Sequence, residues 1–423
     1  MKFKFHKKKK IMILGAGKLQ LNCIKRAKEL GYEVVATDYL TDSPGKKIAD
    51  YEALADTFSP SEVLREAKRF NVDGILTVGT DQPVLTAAIV SEELGLKTLL
   101  DSETAKRVTN KKLMKSIFKK ENIPTTNYVE IPIDFQSDEI SNLKFPLVVK
   151  PADSQGQRGI FKVYSEDELR QCIANTFSYT REDKVILEEY YENIEITVTG
   201  WALEGHSYIL SVTDRVTFED DSKIGICVSH EYPTIKFKNY HEEISEVTQK
   251  IVTAIGIKEG PLYFQMFIGE EGLKVNEIAC RIGGAYEDEF IPHITGVDIL
   301  TMNILDVMGE NIDTSILKEY DFVKDNKLLS IQLFFAKDGS IEKMTDLNKV
   351  RTFPGLINAG YNFKCGDYIK PIENATQRAG YAIIEGSTEE ELKKNIEYFF
   401  DNTKFENDKK DNLIIRGKRG HRY

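Results

Sequence analysis

The chain has 423 residues, of which 41% are hydrophobic and 29% charged, a composition typical of a folded multidomain protein and unlike a disordered one. Its formal net charge of -10 argues against general nucleic-acid binding, and we expect the basic runs at 7–10 and 416–422 to be solvated ends. The apolar run at 11–14 is too short for a signal-peptide core or a membrane span, which predicts a cytoplasmic protein with no membrane partner. The five cysteines show no paired spacing, so reduced thiols are expected.

The first hundred residues have the pattern of a Rossmann-like α/β domain. Residues 11–39 predict a buried strand, a glycine turn, a helix and a second strand that ends at Asp38. Gly15 and Gly17 fit a dinucleotide fingerprint, but Gln20 stands where the third glycine should be, so the evidence for NAD is weak. A helical segment around 104–121 follows, with Lys111 and Lys112 on a basic face, and it ends before a proline.

The next segment, around Lys150, predicts a strand, a glycine loop and a second strand. A P-loop would need a helix and a Gly-Lys-Ser/Thr ending, and this segment has neither. We interpret residues 154–159 as a flap over phosphates, with Lys150 as a point charge and with contributions from Ser154, Gly156, Arg158 and Gly159. The alternative is an ordinary turn between two strands.

Residues 185–205 predict an apolar strand, an aromatic connector and another strand. The strand carries Glu188, the connector carries Tyr190 and Tyr191, and Glu195 begins the next strand. Such a connector can bind a nucleoside, because backbone groups and an aromatic wall contact the base while a carboxylate accepts hydrogen bonds from ribose hydroxyls. A solvated acidic turn is the alternative.

The pattern in residues 260–284 is a hairpin with polar side chains on one face. Alternation in 262–267 and 273–278 lets Gln265 and Glu277 face each other across the two strands. Magnesium prefers oxygen ligands and takes only one or two from the protein, so this pair predicts a metal site, with Mn²⁺ also possible. Alternatively, Glu277 pairs with Arg281 and Gln265 caps a sheet edge.

After this hairpin, residues 296–311 predict an amphipathic helix, and a charged, polar stretch at 311–325 predicts a boundary. The remaining sequence predicts short strands, a strand at 378–386 and a capped helix, with a structural role. We therefore predict domains at 1–104, 105–312 (with a lid at about 119–187) and 313–405, followed by a charged tail at 406–423.

In this order of elements, the chain resembles the ATP-grasp superfamily of carboxylate–amine ligases along nearly its whole length. The resemblance implies an α/β multidomain fold with a Rossmann-like pre-ATP-grasp domain, a two-part ATP-grasp fold and a C-terminal β-rich subdomain. By that match, Lys111 and Lys150 bind phosphates, 154–159 is the flexible loop, 188–191 is the adenine linker, Glu195 binds ribose, and Gln265 and Glu277 hold Mg²⁺. Ala279 replaces the family's usual asparagine, which leaves either one ion on Glu277 or a weak second metal position.

The implied activity is ATP-dependent activation of a carboxylate, from an amino acid by our interpretation, as an acylphosphate that an amine attacks, releasing ADP and phosphate. Arg281, Lys150 and Arg158 would stabilise the transferring phosphoryl group. The segment 211–234 lies where the family meets its carboxylate substrate. The expected substrate contacts are Asp214, Arg215, His230, Glu231, Gly283 and Gly284.

Several alternatives remain open at this stage. Asp214 and Arg215 could form a surface pair, with His230 a satisfied polar residue. A purine-pathway-like ligase would act on a phosphoribosyl substrate and need a second anion site near 15–20 or Arg378. A non-catalytic nucleotide-binding module is the third reading, motivated by Ala279. Many members of the superfamily are dimers, so a homodimer is expected.

Overall fold

The computed structural model describes residues 8–154, 157–220, 223–325 and 327–420. Its first part is a parallel four-stranded sheet in the order β3-β2-β1-β4, as the Rossmann-like prediction requires. The strands are β1 (Lys10–Leu14), β2 (Glu33–Asp38), β3 (Tyr51–Leu54) and β4 (Gly74–Leu76). The helices are α1 (Leu21–Glu29), α2 (Pro60–Phe70) and α3 (Gln82–Leu94). Asp38, at the end of β2, accepts a hydrogen bond from the Ala16 amide, which closes the glycine turn.

Two further helices lead into the central region, α4 (Ser102–Thr109) and α5 (Lys111–Lys120). The predicted segment at 104–121 is therefore broken, because Asn110 leaves helical geometry and caps α5. Its Oδ1 accepts hydrogen bonds from the amides of Lys112 (3.0 Å) and Leu113 (3.2 Å). Capping places the Lys111 backbone at the first turn, where its amide reaches the Ala152 carbonyl.

A small antiparallel sheet in the order β5-β8-β6-β7 follows α5. Its elements are β5 (Tyr128–Ile131), β6 (Leu147–Lys150), β7 (Phe161–Val163), α6 (Glu166–Phe177) and β8 (Val185–Glu189). The sheet and α6 enclose a hydrophobic core of their own, which includes Phe135, Val149, Leu169 and Leu187. This unit lies in the segment for which a lid is predicted at about 119–187, and its paired strands β6 and β8 bring Lys150 and Glu188 into an ion pair.

The largest sheet has eight strands in the order β13-β12-β9-β10-β11-β14-β19-β17, and adjacent strands are antiparallel. Its strands are β9 (Ile194–Leu203), β10 (His206–Thr217), β11 (Cys227–Tyr232), β12 (Gly260–Gly269), β13 (Gly272–Ala279), β14 (Leu328–Gln332), β17 (Leu356–Tyr361) and β19 (Gly380–Gly386). The pairing of β11 with β14 carries the sheet without a break past the predicted boundary at 312.

The remaining elements pack around this sheet. The helices are α7 (Phe237–Ile255), α8 (Glu287–Thr295), α9 (Ile299–Val307), α10 (Ser315–Glu319), α11 (Leu347–Val350) and α12 (Glu389–Asn402). Short strand pairs join β15 (Gly339–Ser340) to β18 (Tyr368–Ile369) and β16 (Lys343–Met344) to β20 (Phe405–Glu406). The predicted α/β class and the β-rich C-terminal region are thereby confirmed.

One large core joins the first sheet to the eight-stranded sheet. It includes Ile13 of β1, Ile24 of α1, Trp201 of β9 and Leu329 of β14, all fully buried. In the basic run predicted to be solvated at 416–422, Arg416 and Lys418 are exposed, but Arg419 is only 2% exposed. Within the described residues no single helix is long and apolar enough to cross a membrane, although the bent pair α8 and α9 passes by length and composition alone.

Candidate active site

Two lysines of the site, Lys111 and Lys115, lie about one helical turn apart on α5. Lys111 is buried, its Nζ lies 2.8 Å from Glu277 Oε1, and it donates to the Ser154 carbonyl at 3.0 Å. Burial lowers the pKa of Lys111, but the charge and hydrogen bond of Glu277 outweigh it and raise the pKa overall. Ser154 therefore contributes its backbone to the predicted phosphate lysine.

Lys115 is the second α5 lysine, and it belongs to a buried triad with Glu188 and Lys150. Its Nζ is 2.8 Å from Glu188 Oε2, and Lys150 pairs with the other oxygen. Burial raises the pKa of Glu188, yet the two ammonium groups overcome this and hold it at about 2. Burial lowers the pKa of Lys115 to about 8, against the attraction of Glu188. Glu188, predicted in the adenine linker, thus lies among the site's cations.

Sequence reasoning missed Lys115, although a signal existed. Residues four apart on a helix share a face, so the predicted position of Lys111 also points Lys115 towards the strands. Thr125 and Thr126, just after the helix, complete its environment by accepting from its Nζ at 2.7 and 3.2 Å.

The β12–β13 hairpin pairs Gln265 directly with Glu277, the register that the alternation predicts. The alternative pairing of Glu277 with Arg281 does not occur, because Glu277 contacts Lys111 and Arg281 contacts Asp81. Beyond this pair the register shifts, since Met266 pairs with Val275 and Asn276 is left without an opposing residue. Such a bulge changes the direction of neighbouring side chains.

The bulge brings Asn276 into the site. Its Oδ1 accepts a hydrogen bond from Lys150 at 3.1 Å, so Asn276 and Glu277 both reach lysines although they are adjacent in sequence. Strict alternation would place them on opposite faces, and for this reason sequence reasoning did not select Asn276.

Whether the residues fit a magnesium ion depends on their donor atoms. Gln265, Asn276 and Glu277 offer two amide oxygens and a carboxylate, and all three side chains are partly exposed. A hard cation that retains several water or phosphate ligands needs no more than this from the protein. The described residues hold no cluster of three or more His, Cys, Asp or Glu suited to a metal. The site therefore fits Mg²⁺ rather than a metal that demands a full protein cage.

A cavity of about 350 Å³ opens beside the triad. Tyr190 lines it, donates its amide to the Pro146 carbonyl at 2.9 Å, and has Lys162 Nζ 3.9 Å from its ring centre. Tyr191 also lines it and donates its hydroxyl to the Gly272 carbonyl at 2.8 Å. Further lining residues are Val148, Lys150, Ile160, Glu188, Asn193, Glu195, Phe267 and Asn276. Val148, Ile160 and Phe267 thus supply apolar surface beside several polar groups, a combination that can bind and orient a small molecule.

Glu195 and Arg215 face each other in this cavity, with Glu195 Oε2 2.8 Å from Arg215 Nη1. Burial raises the pKa of Glu195, while Arg215 acts in the opposite direction. The predicted ribose acceptor and the predicted substrate arginine are thus one ion pair. Arg215 also donates to the Gly225 carbonyl at 2.8 Å, which ties β10 to the loop before β11.

The other residues predicted to contact substrate separate into two groups. Asp214 lines the cavity and accepts from the amide of Ile235. His230 and Glu231 are fully buried in β11, where the Thr213 hydroxyl lies 2.9 Å from His230 Nδ1 and Arg419 Nε donates to Glu231 at 2.7 Å. Burial, aided by Arg215 and Arg378, lowers the pKa of His230 well below its usual value, so this imidazole is neutral.

Arg281 lies two residues after the end of β13 and contacts Asp81 of the first domain. Its Nε and Nη2 both lie 2.6 Å from Asp81 Oδ1, and its guanidinium stacks 4.5 Å above the Tyr263 ring centre. Gly284 follows, and its carbonyl accepts from Arg378 Nη1 at 2.7 Å. An added Cβ on Gly284 would lie 3.3 Å from Leu19, so the glycine turn of β1 closes on the same place.

The flap is described only in part. Gly156 lies outside the described residues, while Arg158 is exposed and Gly159 is buried with a φ of +68°. Such a φ favours glycine, and the Gly159 carbonyl accepts a hydrogen bond from the Thr176 hydroxyl of α6 at 2.9 Å. One end of the flap is therefore anchored to the lid helix.

Two family profiles match this chain. The profile described as "ATP-grasp domain" matches residues 143–289, which contain Lys150, Glu188 and the metal hairpin. The profile described as "L-amino acid ligase C-terminal domain 2" matches residues 332–408.

Along most of its length, the chain is similar to enzymes named for phosphoribosylglycinamide and to an L-amino acid ligase. A formate-dependent phosphoribosylglycinamide formyltransferase from Sulfurisphaera tokodaii is 23% identical over 404 residues, covering 92% of this chain and 95% of that protein. The solved L-amino acid ligase from Bacillus licheniformis superimposes with a TM-score of 0.78 at 17% identity, covering 94% of this chain and 98% of that one. The phosphoribosylglycinamide synthetase from Anaerococcus prevotii gives 0.74 at 22% identity, with 94% and 99% covered.

These findings confirm the resemblance inferred from the residues. The matched ATP-grasp domain contains Lys150, Glu188 and Glu277 of the site, Lys111 and Lys115 precede it, and the neighbours share the fold along nearly the full length. The chain therefore contains an ATP-grasp domain followed by an L-amino acid ligase C-terminal domain, and along most of its length it is similar to ATP-grasp ligases.

Proposed function

We propose that this protein activates a carboxylate, most simply that of an amino acid, as an acylphosphate and joins it to an amine. The observation that supports this most is that Lys150 and Glu188 line a cavity of about 350 Å³, while Lys115 also pairs with Glu188 and Lys111 pairs with Glu277 of the metal hairpin. Three ammonium groups around an oxygen-rich hairpin suit a triphosphate. The C-terminal match to L-amino acid ligases supports an amino acid as the substrate class.

In this mechanism the chain contributes positioning and electrostatics. Tyr190 and Tyr191 hold the base and Glu195 the ribose, while Lys111 and Lys150 bind phosphate oxygens. The carboxylate substrate attacks the γ-phosphorus in line, the bond from the γ-phosphorus to the bridging oxygen breaks, and ADP leaves. Arg281, which Asp81 holds over the Tyr263 ring, would stabilise the transferring group.

The second step joins the two substrates. The amine attacks the acyl carbon, phosphate leaves with the electrons of the C–O bond, and the amine loses its proton. The flap, with Arg158 and the anchored Gly159, would exclude water from this step. Gln265, Glu277 and Asn276 are the residues that would hold magnesium, which would neutralise phosphate charge when bound.

The experiment measures ADP and phosphate release from MgATP with pooled amino acids, omitting one member at a time. Release that depends on a particular pair supports the proposal and identifies the substrates. Glu277→Ala should lower turnover by at least roughly 10²-fold, because it removes a proposed ligand of the magnesium ion that would neutralise the reacting phosphates. Glu270→Ala, on the exposed turn of the same hairpin, is the matched control and should retain wild-type turnover. Equal turnover of the two variants would refute the role of Glu277.

A second candidate is a ligase that acts on a phosphoribosyl substrate. The specific observation in its favour is the full-length similarity to formate-dependent phosphoribosylglycinamide formyltransferases. Its phosphate would need a second cation site, and Arg378 beside Gly284 and the 15–20 turn is the candidate place. ADP release that requires formate and phosphoribosylglycinamide, with no response to amino acids, would favour this candidate over the first.

We further propose that the enzyme works as a homodimer. Light scattering coupled to size-exclusion chromatography would test this, and a mass near the 48.1 kDa of one chain would contradict it.

A further inference from the structure

The C-terminal tail, defined here as residues 415–420, runs along the eight-stranded sheet rather than into solvent. Its path begins where the Ile415 amide donates to the Phe335 carbonyl at 2.9 Å. Gly417 then passes so close to Gln332 and Phe400 that an added Cβ would collide with both side chains. The Lys418 carbonyl accepts from the Ser229 hydroxyl at 2.8 Å and from Gln332 Nε2 at 3.3 Å. The tail is thereby held across β11 and β14.

Arg419 fixes the end of this path by a buried ion pair. Its Nε lies 2.7 Å from Glu231 Oε2, its Nη2 lies 2.9 Å from Glu389 Oε2, and its side chain is 2% exposed. Glu231 is fully buried and also accepts from Ser330 at 2.7 Å. A carboxylate buried in this way costs several kcal/mol unless it is paired, so tail docking and the stability of β11 depend on each other.

The docked tail reaches the nucleotide cavity. Arg419 and Gly420 line the same cavity as Lys150, Glu188 and Tyr190. An added Cβ on Gly420 would lie 3.2 Å from Val216 of β10, another lining residue. The tail therefore forms part of the wall of this cavity.

A second link joins the tail to the loop between β10 and β11. Lys418 Nζ lies 2.8 Å from Glu219 Oε2, and Glu219 lines the cavity together with Phe218 and Asp220. The described part of this loop also approaches the flap, because an added Cβ on Gly225 would lie 2.7 Å from Gln157. A shift of the tail would therefore be transmitted to the β10–β11 loop and to the flap, both of which border the cavity.

We propose that the tail is a structural wall of the ATP cavity and that Arg419 is its positioning residue, acting on bound nucleotide through Gly420 and the β10–β11 loop. This inference rests on the proposed function in one respect, namely that this cavity binds ATP. It gives Glu231 a different role from the substrate contact predicted for it, because Glu231 anchors the tail.

The test measures MgATP affinity of the full-length chain by isothermal titration calorimetry. Arg419→Met should raise Kd by roughly tenfold, within the range of typical coupling between sites, and Arg419→Lys should recover part of the affinity. The matched control is Arg416→Met in the same tail, where the arginine is exposed and pairs with Asp401. This control should leave Kd within about twofold of wild type, since neither Arg416 nor Asp401 lines the cavity.

Arg419→Met leaves Glu231 buried without its partner, so the variant could fail to fold. Lys418→Met avoids this problem, because its ion pair with Glu219 is exposed and the buried pair is retained. We expect a smaller rise in Kd for this variant, of about threefold. The double variant Glu231→Gln/Arg419→Met removes both charges and should bind MgATP as weakly as Arg419→Met.

Linkage supplies a readout that a purely structural role would not move. If tail docking favours nucleotide, then MgATP must favour docking, so it should slow tryptic cleavage after Lys418 and Arg419 in the wild-type chain, followed by mass spectrometry. Unchanged Kd for both Arg419→Met and Lys418→Met, with no protection by MgATP, would overturn the inference. A wild-type chain that binds no ATP would overturn it together with the proposed function, whereas ATP binding without ligation would count against the ligation alone.

Discussion

Lys111, Lys115 and Lys150 each lie within ion-pair distance of Glu188 or Glu277. Because the carboxylates balance these ammonium groups, an arriving polyphosphate competes with partners already in place. Glu188 lies between two lysines and is 4% exposed, so it is held more firmly than Glu277, whose side chain is 28% exposed. We infer that Glu277 exchanges its partner when nucleotide binds and that Glu188 keeps the lysines in position.

Lys115 is predicted to be a stabilising residue of the site. Lys115→Met removes one of the two cations that compensate buried Glu188, and we expect the free energy of unfolding in urea to fall by about 3 kcal/mol. Lys119→Met, on the exposed face of the same helix, is the matched control and should change it by less than about 0.5 kcal/mol. Equal stability of the two variants would show that the triad contributes nothing to folding.

Asp288 should make stability depend on pH. Burial raises its pKa to about 7, and the hydrogen bond from Asn22 at 2.9 Å only partly opposes this. Since the folded pKa exceeds the unfolded value near 3.8, this group's stabilisation is present below about pH 4 and is lost as pH rises towards 7. Asp288→Asn should match wild type at pH 4 and exceed it by about 1 kcal/mol or more at pH 8, because burial penalises the ionised carboxylate and not the neutral amide.

The measurement is urea unfolding of wild type and Asp288→Asn at both pH values. Asp408→Asn, at an exposed carboxylate, controls for the general loss of a negative charge. A stability difference that does not change with pH would exclude titration of Asp288 in this range.

At the scale of elements, the sequence predicted the features that follow the regular periodicity of side chains along a strand or helix. It missed the features that arise where this periodicity is interrupted. Alternation placed Gln265 opposite Glu277, and the structure has that register. Asn276 depends on a bulge, which pairing geometry determines and composition does not reveal. The break at Asn110 was missed for a related reason, because apolar periodicity continues through a capped junction between two helices.

The sequence also did not predict ion pairs between residues that lie far apart in the chain. The pairing of Arg281 with Asp81 joins residues 200 positions apart, and no local pattern predicts it. The basic tail was predicted to be solvated because charged termini usually are, but Glu231 lies 188 positions away from Arg419 and supplies the buried partner. Ion pairs of this kind are decided by which strands become neighbours.

The turn between β13 and α8 depends on the absence of a side chain at Gly283. The Glu287 carboxylate accepts from the Ala285 amide at 2.8 Å and occupies the space that a Cβ on Gly283 would need. Gly283→Ala should therefore lower the free energy of unfolding by about 1–3 kcal/mol, as overpacking does. In a Glu287→Ala background the same substitution should cost less, and thermal unfolding of the four variants measures this coupling. An identical cost in both backgrounds would contradict the steric explanation.

For the whole molecule, the continuous eight-stranded sheet predicts shared cooperativity of the regions before and after residue 312. Amides of β12 and β14 should exchange with similar opening free energies, near that of global unfolding, because one continuous sheet contains both strands. The lid strands β6 and β8 have a separate core and should open at lower free energy. Hydrogen exchange with mass spectrometry tests this, and exchange of β14 in an earlier step than β12 would contradict it.

Trp201 is the chain's one tryptophan, and it is fully buried in the core that joins the first sheet to the eight-stranded sheet. Its fluorescence, excited selectively near the red edge of protein absorption, therefore reports on this core and not on the lid. A fluorescent label attached to the variant Tyr179→Cys, at an exposed position of the lid, would report on the lid separately. Two emission channels could then follow lid movement and loss of the fold in one sample.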